Sequence, residues 1–525
     1  KESFWALQEP VYQLRWKLIE DSARVLILSH KLKEELKGSK VSPADMIHRY
    51  TGGSDPWYVL DTCYRHLEGR YSSFELDLEG QHDELEKVIT RVRQGYTRAM
   101  ENSIEVFTRC LKDADFEIQD YLLQEGIFNR HMASHVAQNE KVAYILVDAL
   151  RFEMGKELVD SLAEEFEMSL LPGIAQLPSI TVVGMAALMP GAENGLELIE
   201  KSGGKISIGI GAATLKDRSS RIKYFEDSLK KEIAVCKLSE LIKPSKKRQA
   251  QIRECDVVLV TSQEIDRWGE EAGGEDEVRL FMDEVLGKLR NAIRRLAALG
   301  VSYFVVTADH GHIYGETIES GMKMDPPGGK TVELHRRVWI GKGGKSGEGF
   351  IRVSVSDVGL GGDMELAFPG SLSCFKAKGG STAYFHGGIS LQEMVIPVIL
   401  LKKKEIETHG LKTAVVELSV GKPKITTRFF SVTATYFSED LFGPDELRVK
   451  MSVRSKRKDV GFAAMSAYGF EEGTKEIILQ KDKPNSITFM LTDVQDLKNV
   501  TIHVLDSISQ VALARIEHIP VEIAI

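Results

Sequence analysis

Three spacings of apolar residues divide the chain. Through the first 138 residues, apolar side chains recur at every third and fourth position among charges, which is the period of amphipathic helices. Tyr12 to Leu36 and Leu85 to Leu111 are the longest such segments, and in the second Val88, Ile89, Val92, Tyr96, Met100, Ile104, Val106 and Phe107 form one stripe suited to burial. Ser42-Pro43 ahead of Ala44-Asp45-Met46 reads as an N-cap with proline at the first helical position. From 139 to about 405, continuous apolar runs alternate with amphipathic stretches: Lys141 to Val147 precedes Phe152 to Phe166, and Glu277 to Leu299 precedes Val301 to Thr307. That alternation predicts an α/β domain, a mostly parallel sheet between helices. Two stretches interrupt it, near 192–253 and 315–384, and are expected to be insertions close to the strand ends. Beyond 406 the period becomes two, with Leu447, Val449, Met451 and Val453 alternating with Arg448, Lys450, Ser452 and Arg454, and with similar runs at Thr427 to Tyr436, Val500 to Leu505 and Val511 to Ile516. Strands separated by turn signals, with no helical segments between them, predict a small antiparallel β-sandwich over 406–525.

Composition narrows the class without deciding the chemistry. A hydrophobic content of 43% in 525 residues supports several packed cores. A net charge of −9 argues against a uniformly basic nucleic-acid binder but leaves local basic tracts open. One such tract holds Lys216, Arg218, Arg221, Lys223, Lys230, Lys231, Lys243, Lys246, Lys247 and Arg248; another is His335-Arg336-Arg337. Acids such as Asp217, Glu226, Asp227 and Glu232 dilute the first, and a solvated charged surface is its simplest reading. The run Arg454 to Lys458 reads most simply as a solvated hairpin loop. Cys63, Cys110, Cys236, Cys255 and Cys374 form no CxxC pair, which argues against a disulfide framework or a thiolate zinc site. The absence of a signal pattern or a membrane-length apolar run, together with these cysteines, leads to an expected cytoplasmic location with no membrane association. The chain opens on Lys rather than Met, which points to a fragment or a processed product.

The candidate chemistry lies where the apolar runs stop. Lys141 to Val147 ends at Asp148, followed by Ala149-Leu150-Arg151, and Tyr303 to Val306 leads into Thr307-Ala308-Asp309-His310-Gly311-His312. Val257 to Val260 leads through Thr261-Ser262 to Asp266 and Glu270, and His386 sits in Phe385-His386-Gly387-Gly388. Carboxylates and imidazoles at the carboxyl ends of sheet strands are ligands for a cation, and a hydroxyl-bearing turn, Pro178-Ser179-Ile180-Thr181, completes a plausible two-metal hydrolytic set.

The motifs VDALR, LPSITVVGM, EIDRWGE, TADHGH and FHGG, in this order, resemble the PglZ family, a branch of the alkaline phosphatase superfamily found in bacterial phage-defence (BREX) systems. The resemblance covers roughly 139 to 405. It implies an alkaline phosphatase-like core and two divalent ions, about 4 Å apart, that clamp the attacking and leaving oxygens of an in-line displacement. Residue by residue, it assigns Asp148, Asp309 and His310 to one metal together with Thr181, the matching nucleophile, with Ser179 as the fallback. Asp266, Glu270 and His386 are assigned to the second. Glu270 stands where many superfamily members have His, and its harder oxygen ligation admits Mn or Mg beside Zn, the metal first expected. Thr181 could instead cap a helix over Val182 to Leu188. His312 is a candidate ligand or a group supporting His310. Arg151 could clamp a phosphate oxygen or pair with a structural acid.

The implied activity is a metal-dependent phosphohydrolase, working through a phosphothreonine, with phosphodiesters or nucleic acid favoured over small monoesters by the basic tracts. Other BREX proteins and DNA or another nucleic acid are the expected partners. A second reading is a phosphatase-fold interaction module within a defence complex, with little or no hydrolysis.

Overall fold

The computed structural model describes residues 10–38, 41–74, 82–201, 204–271, 275–314, 322–377, 384–404, 414–438, 445–455, 458–471, 475–492, 497–507 and 512–523. Cα packing divides the chain into two compact units, one comprising Ser22–Glu68 and Asp83–Lys404, the other Lys1–Asp21, Gly69–His82 and Glu405–Ile525.

The first unit is built on a seven-stranded sheet whose strands, in chain order, are β1 Leu122–Leu123, β2 Val142–Val147, β3 Phe166–Ile174, β4 Ile233–Lys237, β5 Val257–Ser262, β6 Tyr303–Ala308 and β7 Val395–Lys403. They lie side by side in the order β1-β3-β7-β6-β2-β5-β4. Only β7 runs against its neighbours β3 and β6; the remaining pairings are parallel. Every residue of β2 is buried, as a central strand covered on both faces requires, and that is why its sequence is an unbroken apolar run. Register positions the chemistry: Val147 pairs with both Ala308 and Ser262, so Asp148 and Asp309 leave adjacent strands at the same level.

The helices of the first 138 residues form largely as their periodicity predicts. Helix Pro43–Thr51 starts at Ser42, whose side chain accepts from the Asp45 N–H, with Pro43 in the first turn. In helix His82–Asp113 the stripe from Ile89 to Phe107 is buried, but Val88 is exposed. This region is not a separate layer, since Ser22–Glu68 and the chain from Asp83 onward share a unit with the α/β core. Buried ion pairs link them: Arg65 binds Glu153 at 3.0 Å and also contacts Glu157. The same region contributes an edge strand, β1, parallel to β3.

The two expected insertions are resolved differently. Ile233–Lys237, inside the stretch 192–253, pairs in parallel with Val257–Thr261 and is the sheet's edge strand β4. It is only five residues long and lies between charged runs, so its apolar signal is diluted. The remainder forms a small sheet of Leu196–Lys201, Lys205–Ile210 and Ala213–Leu215, and helix Arg218–Leu229 follows. Leu360–Gly361 from the second stretch pairs with Leu196, tying the two excursions together. The second stretch also forms a four-stranded antiparallel sheet of Lys330–Leu334, Trp339–Lys342, Phe350–Ser354 and Glu365–Pro369.

In the second unit, nine antiparallel strands between Ala414 and Pro520 enclose one apolar core that includes Val432, Val449, Val453, Ile487, Phe489 and Ile502. Strand Glu446–Ser455 alternates buried Leu447, Val449, Met451 and Val453 with more exposed basic residues, matching its period-two sequence. It pairs with Glu476–Gln480 and Lys458–Ser466 along successive halves and with Asn499–Asp506 along the other edge, and such branching lets the strands close over the core. Arg454 in the basic run pairs with Asp459 at 2.6 Å.

Candidate active site

Asp148 follows β2 and Asp309 follows β6, and the register of these neighbours brings both carboxylates to one point beside His310. All three side chains are buried, and one ligand atom from each lies within 4.8 Å of the others. The turn after β2 is tight, with Ala149 at φ +61°, a left-handed conformation that a residue with a β-carbon adopts at some cost. It directs the Ala149 N–H to Asp309 Oδ1 at 3.0 Å, and the His310 N–H reaches the same oxygen at 3.0 Å. Gln124 supports the end of β6, donating to the carbonyls of Ala308 and Asp309 at 2.9 and 2.8 Å.

The His310 ring is held in one tautomer. A carbonyl only accepts, so the 2.9 Å contact between Nδ1 and the Gly311 oxygen places the proton on Nδ1. Burial, and then the facing His386, pull the imidazole down to about 3, so it is neutral and Nε2 carries a lone pair. That nitrogen lies 3.7 Å from Asp148 Oδ1 and 3.4 Å from Asp309 Oδ2. Asp148 Oδ2 and Asp309 Oδ2 are buried and make no hydrogen bond among the described residues. Burial first, then Asp309 and Asp266, hold the Asp148 carboxyl well above the usual carboxylate range, and burial raises Asp309 to about 6. Two carboxylates and one imidazole converging in a buried place, with two carboxylate oxygens left without a hydrogen-bond partner among the described residues, form a donor set that fits a divalent cation.

Thr181 is the first residue of helix Thr181–Ala187, whose N-cap is Ile180. The hydroxyl therefore does not cap this helix. It lies 3.2 Å from His310 Nε2 and 3.5 Å from Asp148 Oδ1. The helix can approach this closely because Gly184 packs on the strand end: a β-carbon there would stand 2.2 Å from the Asp309 carbonyl oxygen. Ser179, two residues earlier, is buried and donates to the Gly388 carbonyl at 2.9 Å, which commits its hydroxyl elsewhere.

Two members of the second expected set, Asp266 and His386, lie together. The His386 ring stacks on His310 with centroids 4.3 Å apart and planes 6° apart, and His386 Nε2 lies 3.5 Å from Asp266 Oδ1. Tyr384 donates to that Asp266 oxygen at 3.2 Å. Glu270 belongs to helix Glu264–Glu271, but its side chain lies outside the described residues. His312 Nδ1 contacts the Ala149 carbonyl at 2.9 Å, while its Nε2 is buried without a hydrogen-bond partner among the described residues.

Two readings change. Arg151 is not without a partner: its Nη2 pairs with buried Asp61 at 2.9 Å, the alternative of a structural acid. Asp61 also accepts from Tyr50, Tyr96 and Gln392 at 2.9, 2.7 and 3.0 Å, so the helical region fixes the turn that carries Asp148. Nor is His335-Arg336-Arg337 a basic surface tract. Arg337 is fully buried, pairs with Glu393 at 3.3 Å and donates to the carbonyls of Ser371 and Ser373, and His335 contacts Glu333 at 2.8 Å. Gln124 and Tyr384 carry no sequence signal, because single polar residues acquire these roles only through tertiary packing.

A family profile described as the BREX system PglZ alkaline phosphatase-like domain matches residues 127–401, more than half of the chain. Alkaline phosphatase-like protein PglZ of Bacillus cereus (strain H3081.97) is 26% identical over 406 residues, covering 73% of this chain and 45% of the relative. Alkaline phosphatase-like protein BrxZ of Escherichia coli O9:H4 (strain HS) is 28% identical over 277 residues, covering 50% of this chain and 31% of the relative. The chain thus spans less than half the length of either curated relative. Among solved structures, the inactive murine ectonucleotide pyrophosphatase/phosphodiesterase 5 in complex with AMP is similar at 12% identity with a TM-score of 0.34, covering 50% of this chain and 88% of that one. With five motifs in order, their strand ends converged and the profile matched across them, this chain belongs to the PglZ family of alkaline phosphatase-like proteins of BREX systems.

Proposed function

We propose that this chain is a metal-dependent phosphohydrolase that cleaves phosphate esters at Thr181. The observation that carries this reading is the position of the Thr181 hydroxyl, 3.2 Å from the lone-pair nitrogen of His310 and 3.5 Å from Asp148, at a buried donor set. Asp148, Asp309 and His310 would hold one divalent cation, Zn before Mn or Mg, and Asp266 and His386, with Glu270, a second. Such cations supply positive charge that favours the threonine alkoxide and offsets charge on the reacting phosphoryl group. The chain's own residues do the positioning. His310 is fixed by Gly311 with its lone pair inward, Asp148 and Asp309 converge beside it, and Gly184 lets the helix bring the Thr181 hydroxyl into reach.

Attack by the Thr181 oxygen on phosphorus forms a new P–O bond as the bond to the leaving alcohol breaks, the leaving oxygen taking a proton; a monoester leaves phosphothreonine and a diester leaves its singly esterified form, which water then cleaves. Phosphodiesters, nucleic acid among them, are the favoured substrates. Exposed Lys216, Lys230, Lys243, Lys246 and Lys247 supply charges that contact a polyanion, although the burial of Arg337 removes the second basic tract from that argument. Family membership supports work alongside other BREX proteins in a bacterial cytoplasm; among the described residues no helix is long and apolar enough to cross a membrane.

The test is hydrolysis of bis(p-nitrophenyl) phosphate and p-nitrophenyl phosphate by metal-loaded and chelator-stripped protein. Metal-dependent turnover, faster on the diester, is expected. No turnover of either ester by the loaded protein would favour the reading of this fold as an interaction module.

A further inference from the structure

One side of the Thr181 pocket is formed by helix Arg218–Leu229, which belongs to the excursion from the sheet and not to its strand ends. The pocket is lined by Thr181, Met185, Met189, Arg218, Arg221 and Thr261, among others. The helix is anchored there. Asp217 caps it by accepting from the Ser220 N–H at 2.8 Å, and the Arg218 guanidinium reaches Thr261 Oγ1 from Nε at 3.2 Å and from Nη2 at 2.9 Å. Thr261 is in β5, so this contact fixes the start of the helix to the strand next to Asp148.

Arg221 lies three residues further along, on the same face as Arg218. Arg221 lines the pocket and is partly buried, and its guanidinium makes no hydrogen bond or ion pair among the described residues. Arginine presents a planar fork of donors that are costly to leave unmatched when removed from water. Burial lowers the guanidinium from its ordinary range, and the charges of Asp309 and then Asp148 act against that. These carboxylates belong to the proposed cation site. With a cation there these carboxylates would be neutralised, and Arg221, which lines the same pocket as Thr181, would be left in need of an anion.

We infer that Arg221 is the residue that grips the non-bridging oxygens of the phosphoryl group presented to Thr181, with Arg218 positioning its helix through Thr261. The inference rests on the reading of Asp148, Asp309, His310 and Thr181 as a phosphoryl-transfer centre. It gives the excursion a direct part in substrate binding.

The test is isothermal titration of metal-loaded protein with orthovanadate and with inorganic phosphate, accompanied by metal content and thermal midpoint, for the wild type, Arg221→Ala, Arg221→Lys and the control Lys223→Ala. Lys223 is exposed on the same helix, so its variant removes an equal charge outside the pocket. Arg221→Ala is expected to keep its metal and thermal midpoint while losing about ten- to a hundredfold in oxyanion affinity, the range for a charge-assisted contact. Arg221→Lys should recover part of the loss, and Lys223→Ala should change affinity by less than about twofold, as an exposed charge does. Wild-type affinity in Arg221→Ala, or an equal loss in Lys223→Ala, would overturn the assignment of Arg221 while leaving the catalytic reading in place. A loaded wild type that binds neither oxyanion and hydrolyses neither ester would overturn the catalytic reading, and this inference with it.

Discussion

Thr181 Oγ1 lies 3.2 Å from His310 Nε2, the ring nitrogen left without a proton when Nδ1 donates to the Gly311 carbonyl. The hydroxyl therefore has an acceptor for its proton on the same atom that is oriented for a cation. If Thr181 attacks phosphorus, Thr181→Ala removes covalent catalysis but none of the three donors Asp148, Asp309 and His310. Turnover should fall by about a hundredfold or more, each tenfold being about 1.4 kcal/mol of barrier, with metal content unchanged. Ser179→Ala should leave turnover near normal and cost about 1 kcal/mol of stability through its lost bond to Gly388. Steady-state kinetics and metal analysis on both variants check this. Full activity in Thr181→Ala would transfer the attack to water.

Gly184 offers a test that touches no donor. Its α-carbon faces the Asp309 backbone so closely that an added methyl would stand 2.2 Å from the carbonyl oxygen. Gly184→Ala must push helix Thr181–Ala187 away from the strand end, at a cost of about 1–3 kcal/mol for overpacking. A lower thermal midpoint and reduced turnover with metal content retained are expected. An unchanged midpoint would show that the helix accommodates the methyl without moving.

The sequence made the site's strand ends legible because β2 and β6 are nearly uninterrupted apolar runs that stop at Asp148 and Asp309, and parallel neighbours in register align such stops. The alternation in Leu447 to Val453 likewise announced an antiparallel region. What remained hidden depends on partners distant in sequence. Arg151 is one residue beyond a strand-end turn, and only folding shows that Asp61 claims it. Arg337 sits in a basic triplet, yet Glu393 and two carbonyls draw it inward. Ile233–Lys237 forms an edge strand because β5 offers a free side, not because its sequence is strongly patterned.

The pairing of Arg151 with Asp61 predicts a stability phenotype in place of a substrate-binding one. Removing one partner leaves the other charge buried and uncompensated, a loss of about 3–5 kcal/mol. Arg151→Met should unfold at markedly lower denaturant concentration, and the double variant Arg151→Met with Asp61→Asn should recover part of the loss. Chemical denaturation measures both. A stable Arg151→Met protein with weakened oxyanion binding would return this arginine to the substrate.

A loss of stability with rising pH follows from the two buried carboxyls. Burial raises Asp309 to about 6 and holds Asp148 well above the usual range, so in the metal-free protein both keep their protons to higher pH than in the unfolded chain. Because the folded state then binds more protons than the unfolded one, stability is fully present below about pH 4, the unfolded carboxylate value, and is lost as pH rises through 6. The thermal midpoint of stripped protein should decline over that window, and the gain on adding Zn should grow with it as the donors ionise. A metal-induced gain that does not vary with pH would place the cation elsewhere.

The most direct measurement is metal content and diester hydrolysis side by side in Asp309→Ala and His310→Ala, with circular dichroism to confirm folding. The account predicts folded variants in which bound metal and turnover fall together, because each loses one of the three donors that lie within 4.8 Å of one another. Wild-type metal stoichiometry in both variants would contradict it.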